Sequence, residues 1–105
     1  MDYEELTNHE ILILLGKRIK EYRLAERKSQ KELAELSGVS CSTISHFEQG
    51  SADNITLKSF MSLLRAMGLI DEMEKLLPEL PMPRDIAQKI EKMSVKRIKT
   101  KKHAE

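Results

Sequence analysis

Apolar residues recur at helical spacing from the start of the chain. The first run has intervals of four, four and three residues, which predicts one helix with a single inward stripe. The side chains of this stripe are Ile11, Leu15, Ile19 and Tyr22. Thr7 and Glu10 have the spacing of a capping box, which satisfies two backbone N–H groups at a helix start. The pattern therefore predicts a helix that opens after Thr7 and ends at about Glu26.

This first helix carries more apolar surface than one core face needs. Leu12, Ile13 and Leu14 are hydrophobic as well, and they lie outside the inward stripe. Because a surface helix needs only one apolar face, we expect part of this extra surface to meet another element or another molecule.

The middle of the chain predicts two short helices joined by a tight turn. Ser29 and Glu32 form a second capping box, so one helix is predicted to begin just after Ser29. Gly38 can adopt the left-handed conformation that ends this helix, and Ser40 can cap the next one. A three-residue turn between two short helices is the geometry of a helix-turn-helix.

The second of these helices is predicted to run from Cys41 to about Gln49. Ile44 and Phe47 share its inward face, and a small polar face remains outside. That outer face comprises Cys41, Ser42, Thr43, Ser45, His46 and Gln49. Short hydrogen-bonding side chains of this kind can lie close to base edges in the major groove of DNA.

Two more helices complete the predicted bundle. One is expected to begin after Thr56 and to end at Gly68. Its core-facing side chains are predicted to be Leu57, Phe60, Leu63, Leu64 and Met67. Asp71 is predicted to cap a fifth helix through Leu77, since an acidic first turn suits the positive end of a helix dipole.

These elements together predict an all-α fold with two parts. Residues 1–77 are expected to form a compact five-helix bundle, and residues 78–105 a basic tail broken by prolines. Within the tail, a further short helix is predicted from Arg84 to about Lys92, with Ile86 and Ile90 on one side.

The net charge of +1 conceals an uneven distribution. Residues 1–83 carry 10 basic and 14 acidic side chains, whereas residues 84–105 carry 8 and 3. The densest cations of the tail are Lys96, Arg97, Lys99, Lys101 and Lys102, with no apolar pattern on which to fold. Such a tail either attracts DNA phosphates without regard to sequence or is a solvated terminus without a partner.

Several classes of protein are disfavoured by the sequence. The longest apolar run, Ile11 to Leu15, is too short to span a bilayer, and no signal peptide is recognisable. A single cysteine permits no internal disulfide, so we expect a cytoplasmic protein. The three histidines lie far apart and no phosphate-binding loop or nucleophile motif is present, so neither an enzyme nor a metal or other cofactor is expected.

Four segments of the sequence resemble the Cro/repressor-type (Xre-like) helix-turn-helix regulators of bacteria and phages. The segments are LGKRIKEYR from Leu15, SQKELAELSGVS from Ser29, STISHFEQG to Gly50, and TLKSFMSLLRAMGL from Thr56. They keep the family's spacing without gaps over about half of the chain. The resemblance implies a lambda repressor-like DNA-binding domain.

The resemblance also implies which residues contact double-stranded DNA. The second motif helix is expected to enter the major groove, with Cys41, Ser42 and His46 at base-reading positions and Ser40, Thr43 and Ser45 close enough to assist. Ser29 and Gln30 match positions that hold a phosphate, and Gln49 and Lys58 are expected to flank the opposite phosphates.

Arg23 and Glu48 match a pair that forms an ion pair between the first helix and the recognition helix. We expect this pair to be exposed and therefore worth about 1 kcal/mol at most.

Three residues depart from the family pattern. Cys41 stands where a long basic or amide side chain is common, and a thiol cannot make their bidentate base contacts. Arg27 stands where Gly or Asn commonly ends the first helix, and Lys28 occupies a commonly apolar place. We therefore expect weaker direct readout and a slightly strained or looser junction after the first helix.

The sequence thus predicts a repressor that binds a palindromic operator as a homodimer, because one recognition helix covers only a few base pairs. The alternative is an antitoxin that neutralises a kinase-like toxin and regulates its own operon. Either a dimer or a toxin would suit the apolar surface of the first helix and of residues 76–82. An RNA-binding role is the least favoured, since few aromatic side chains are available to stack on bases.

Overall fold

The computed structural model describes residues 2–98, with side chains described for residues 2–94. Within this range the chain is all helical and contains no strand, which confirms the predicted fold class. A short 3-10 helix at Tyr3–Glu5 is followed by α1 Asn8–Ala25, α2 Gln30–Ser37, α3 Cys41–Gln49, α4 Leu57–Ala66, a 3-10 turn Ile70–Glu72, α5 Met73–Leu76 and α6 Arg84–Ile98. The described residues thus hold six α-helices, which agrees with the five predicted for residues 1–77 and the further one predicted in the tail.

The chain divides into two compact units. The first ends at Met73 and contains α1 to α4, and the second begins at Glu74 and contains α6. The helices of the first unit pack mainly through α1 against α3, and α2 against α3 and α4. Helix α3 therefore lies between α1 and α2.

The core of the first unit is a cluster of buried apolar side chains from all four of its helices and the turn between α2 and α3. It comprises Ile19, Leu33, Val39, Ile44, Phe47, Leu63, Leu64 and Met67. Phe47 meets Phe60 edge to face, with ring centroids 6.3 Å apart and planes at 88°. Edge-to-face contact is a favoured geometry for aromatic pairs, so α3 and α4 are joined by more than apolar area alone.

Helix α1 begins and ends where the sequence predicts. The Glu10 N–H donates to Thr7 Oγ1 at 3.1 Å, and the Thr7 N–H donates to Glu10 Oε1 at 2.8 Å, so the capping box is complete. The inward stripe is wrong at one position, because Tyr22 is 50% exposed. Leu12, by contrast, packs against the core. The inward face follows Leu12, Gly16 and Ile19 because α1 approaches α3 on that side.

Two expectations for the later helices are wrong. Leu57 is 60% exposed, because it is the first residue of α4 and lies at the end of the helix rather than over the core. Asp71 does not cap a helix, since it lies inside the 3-10 turn. Leu69, Ile70 and Met73 pack onto the core cluster and draw the chain into that turn, which leaves α5 only four residues. Thr56 caps α4 as predicted, with its hydroxyl accepting from the Ser59 N–H at 3.0 Å.

The second unit contains a longer helix than the sequence predicts. Helix α6 runs from Arg84 to Ile98, beyond the expected end at about Lys92. The expectation that the basic segment has no pattern on which to fold is therefore wrong as far as residue 98. The remaining cations named there, Lys99, Lys101 and Lys102, lie outside the described residues.

Candidate DNA-binding surface

Helices α2 and α3 form the predicted helix-turn-helix. The Glu32 N–H donates to Ser29 Oγ at 3.0 Å, and Glu32 Oε1 accepts from the Ser29 N–H at 2.8 Å. Gly38 ends α2 with a φ of +77°, a conformation that is energetically unfavourable for any residue with a Cβ atom. Ser40 then caps α3 by accepting from the Thr43 N–H at 3.1 Å. Each of these local signals was predicted from the sequence and is present in the structure, which confirms the motif.

The inner face of α3 is firmly buried. Ile44 and Phe47 are 0% and 2% exposed, and they pack with Leu33 of α2 and Val39 of the turn. An anchor of this kind leaves α3 little freedom to rotate about its own axis, because rotation would expose these side chains to water. The opposite face of the helix is therefore held outward.

The outer face of α3 is small, polar and accessible. Cys41, Ser42, His46 and Gln49 are exposed, as is the capping residue Ser40, whereas Thr43 and Ser45 are half-buried. Two hydrogen bonds order this face: Ser40 donates to Thr43 Oγ1 at 2.8 Å, and Gln49 Nε2 donates to Ser45 Oγ at 3.1 Å. The predicted base-reading side chains thus share one continuous surface, with the hydroxyls of Thr43 and Ser45 still able to donate.

A groove beside α3 is lined in part by residues that the sequence analysis did not name as candidates for DNA contact. Thr43 and His46 form one wall, and the chain after α3 forms the other with Ser51, Ala52 and Asn54. The cavity has a volume of about 290 Å³. Asn54 is exposed and carries an amide that can both donate and accept. Its place in the polar loop directly after the recognition helix was the available signal.

The predicted phosphate-contacting residues occupy three separate places. Ser29 caps the start of α2, and Gln30 is the first residue of that helix. Gln49 lies at the end of α3, and Lys58 is exposed in the first turn of α4. The Gln30 side chain is already engaged, because its Nε2 donates to Glu48 Oε1 at 3.1 Å.

Arg23 and Glu48 form a salt bridge inside the first unit. Arg23 Nε and Nη2 donate to the two carboxylate oxygens of Glu48 at 2.8 and 2.9 Å. Their side chains are only 8% and 1% exposed, so the expectation of an exposed pair was wrong. The hydrogen bonds that Arg23 donates to the Glu48 carboxylate raise the pKa of Arg23 above its ordinary value. Loss of either partner would leave a buried charge uncompensated, which costs far more than an exposed pair contributes.

Gly16 was not recognised from the sequence as a packing residue. A Cβ atom at this position would lie 1.9 Å from the carbonyl oxygen of Phe47 and 2.8 Å from its carbonyl carbon. Helix α1 therefore approaches the backbone of α3 more closely than any other amino acid would allow. The signal was present, because Gly16 is the one glycine that does not fall at a predicted helix end.

The junction after α1 is strained, as the departures from the family pattern indicated. Arg27 has a φ of +57°, a left-handed conformation that is uncommon for residues other than glycine. The Lys28 N–H donates to the Arg23 carbonyl at 3.1 Å, which closes the end of the helix. Lys28 is half-buried, and its ammonium lies 3.1 Å from Glu26 Oε1. The aliphatic part of the lysine side chain therefore occupies the place of the apolar residue that is common in the family, while its charged end stays in contact with solvent.

Two further properties concern the described part of the chain alone. No helix there is long and apolar enough to cross a membrane. Among the same residues, no cluster of three or more His, Cys, Asp or Glu side chains is arranged to hold a metal ion.

Comparison with known proteins agrees with this geometry. A family model described as helix-turn-helix matches residues 19–74, which is more than half of the chain and includes α2, α3 and α4. A search of curated proteins found no match. The matched segment contains the capped two-helix motif, its buried anchor and its polar outer face. The chain therefore belongs to the Xre and lambda repressor-like helix-turn-helix family of DNA-binding transcriptional regulators.

Proposed function

We propose that the protein is a sequence-specific repressor that binds a palindromic operator as a homodimer in the cytoplasm. The observation that carries this proposal is the outer face of α3, which is small, polar and exposed over a fully buried anchor. A helix held in this way can enter the major groove as a rigid element, so its side chains meet base edges without a large cost in conformational entropy.

The contacts are divided between base reading and phosphate binding. Cys41, Ser42 and His46 read bases, since they are exposed on the first two turns of α3. The hydroxyls of Ser40, Thr43 and Ser45 assist in base reading. The phosphate contacts are assigned to Ser29, Gln30, Gln49 and Lys58. Phosphate contacts set the position of the protein on the duplex, and base contacts supply the sequence preference.

The base-reading assignment is tested by selecting binding sites from a pool of randomised duplex DNA. Ser42→Ala or His46→Ala is expected to relax the preference at one or two positions of the selected site, at about 1 to 3 kcal/mol for each lost contact. His9→Ala is the matched control, because His9 is exposed in the first turn of α1. Unchanged selectivity in both α3 variants would reject the assignment.

The homodimer rests on specificity and on exposed apolar surface. One recognition helix reads too few base pairs for useful selectivity, so two copies are expected on half-sites about one helical turn apart. Ile13 is 41% exposed on α1, and Leu76 and Leu77 are 63% and 84% exposed in the second unit. Leu12, which we expected to contribute, packs against the core instead. Light scattering without DNA is expected to give the mass of a dimer; a monomer at high micromolar concentration would contradict it.

The second unit supports one alternative, an antitoxin that binds a toxin through α6. Ile86, Ile90 and Met93 follow at intervals of four and three residues and are 45%, 45% and 60% exposed. A helix with such a stripe is stabilised when a partner covers it. The product of the adjacent gene should then form a complex that survives size-exclusion chromatography. Ile90→Glu should abolish that complex and Gln88→Glu, on an exposed position of the same helix, should not.

A further inference from the structure

The buried carboxylate of Glu48 joins three helices at one point. Its Oε2 accepts from Arg23 of α1, and its Oε1 accepts both from Arg23 at 2.9 Å and from the Gln30 side chain of α2 at 3.1 Å. Glu48 itself belongs to α3. Because its side chain is 1% exposed, these hydrogen bonds are not in competition with water. The first residue of α2 is therefore fixed to the end of the recognition helix.

A carboxylate can only accept hydrogen bonds, and this determines which way the Gln30 amide faces. The nitrogen must point toward Glu48, since the opposite orientation would place the amide oxygen against the carboxylate oxygen. An amide nitrogen carries two hydrogens, and Glu48 accepts one of them. Gln30 is half-buried at the start of α2, and its second amide N–H is not bonded to any of the described residues.

Backbone donors lie at the same helix start. The N–H groups of Glu32 and Leu33 donate to Ser29, whereas those of Gln30 and Lys31 have no partner among the described residues. Arg23 Nη1 also donates to the Lys28 carbonyl at 2.7 Å, which fixes the chain just before α2. The buried ion pair thus holds a set of N–H donors in one orientation relative to α3.

We propose that Glu48 is a positioning residue for DNA binding. It orients the Gln30 amide with its donor outward and holds the start of α2 in fixed register with α3. One DNA phosphate at α2 and the bases at α3 are then contacted together. Glu48 is buried and does not touch DNA itself. This inference rests on the proposed phosphate contact at Gln30, and it names the residue that makes the contact possible.

A double-mutant cycle between Gln30→Ala and Glu48→Gln tests the proposal, with a short random-sequence duplex as the probe. In the native background, Gln30→Ala is expected to weaken binding about threefold to tenfold, the range for one hydrogen bond. The slope of log affinity against log salt should not change, because Gln30 is neutral. In the Glu48→Gln background the same substitution should have little further effect, since a side chain at position 48 that both donates and accepts no longer fixes which way the Gln30 amide faces.

Matched controls separate this role from general effects of charge or volume. Glu35→Gln removes one acidic charge from an exposed position of α2, and Gln88→Ala shortens an exposed glutamine of α6. Neither should alter the effect of Gln30→Ala. Because Glu48→Gln alters a buried ion pair, Glu48→Asp is a second variant. It keeps the charge beside Arg23 but withdraws the carboxylate, so it should also reduce the effect of Gln30→Ala.

A measurement without DNA separates the orientation of the Gln30 amide by Glu48 from the contact between Gln30 and a DNA phosphate. The side-chain amide signals of Gln30 in a nitrogen-15 NMR spectrum are expected to shift in Glu48→Gln and to stay in place in Glu35→Gln. Equal losses of affinity from Gln30→Ala in both backgrounds, with unmoved amide signals, would overturn the positioning role. If Gln30→Ala does not weaken binding at all while the amide signals still shift, the phosphate contact is wrong and the proposal falls with it.

Discussion

At Gly16 the absence of a side chain decides how closely two helices approach. Alanine is a better helix former than glycine by about 1 kcal/mol. On a solvent-facing surface, replacing a mid-helix glycine by alanine would therefore stabilise the helix. Here the added Cβ atom would lie 1.9 Å from the carbonyl oxygen of Phe47, which is backbone and cannot rotate away. The steric term therefore outweighs the helix propensity, and α1 and α3 have to separate.

Gly16→Ala is accordingly expected to lower the free energy of unfolding by about 2 kcal/mol, the middle of the range for overpacked sites. Urea unfolding followed by circular dichroism measures the change. Lys17→Ala is the matched control, because its side chain is exposed on the same helix and the substitution should stay within about 0.5 kcal/mol of the native value. A Gly16→Ala variant as stable as the native protein would mean that α1 and α3 are not packed this closely.

At the scale of single helices, the capping boxes link stability to pH. Hydrogen bonds from the Ser29 backbone N–H and the Ser29 side chain to the Glu32 carboxylate lower the pKa of Glu32 below its ordinary value of 4.5. A carboxylate whose pKa is lower in the folded state stabilises that state above about pH 4.5. The stabilisation is lost as the pH falls through the lowered value.

Glu32→Gln should therefore flatten the acid side of the stability profile. Glutamine can still accept from the Ser29 N–H, so the cap remains but no longer titrates. The difference in unfolding free energy between the native protein and the variant is expected to shrink as the pH falls below about 4.5, and to be constant above it. Urea unfolding at a series of pH values measures this. Glu35→Gln serves as the control, and a parallel loss of stability in the native protein and Glu32→Gln would contradict the prediction.

The helices differ in how far the sequence predicted them. The ends of α1, α2 and α3 are encoded by local signals, namely Thr7, Ser29, Gly38 and Ser40, and each was predicted within a residue or two. Side-chain burial depends on which neighbour each helix meets, and here prediction was less successful. Tyr22 was placed inward because spacing alone does not show that α1 turns Gly16 toward α3.

The same limit applies to the candidate DNA-binding surface. The outer face of α3 was predicted from the inward positions of Ile44 and Phe47, and four of its six side chains are exposed. Thr43 and Ser45 are half-buried. The burial of the Arg23–Glu48 pair and its bond to Gln30 were not predicted, because they require three helices to meet at one point. Tertiary contacts between distant segments leave no periodic pattern in the sequence.

For the whole molecule, charge is distributed unevenly between the first 83 residues and the last 22. The first 83 residues carry more acidic than basic side chains, and the last 22 carry 8 basic and 3 acidic ones. DNA is a strong polyanion, so an acidic excess weakens long-range attraction to it and a basic segment strengthens that attraction. Helix α6 holds part of this charge on an ordered scaffold, with Lys89 and Lys92 exposed.

The basic segment is therefore expected to add affinity for DNA without adding sequence preference. Each phosphate that it neutralises on duplex DNA steepens the salt dependence by about 0.9 in log–log slope, so truncation after Pro83 should flatten the slope and weaken binding to all duplexes alike. The ranking of duplexes recovered by selection should be preserved. Truncation after Ile98 keeps α6 and removes three of the cations, so it should give an intermediate slope. If truncation after Pro83 left slope and affinity unchanged but abolished binding to the product of an adjacent gene, the segment would be a protein-docking element and the antitoxin alternative would be favoured.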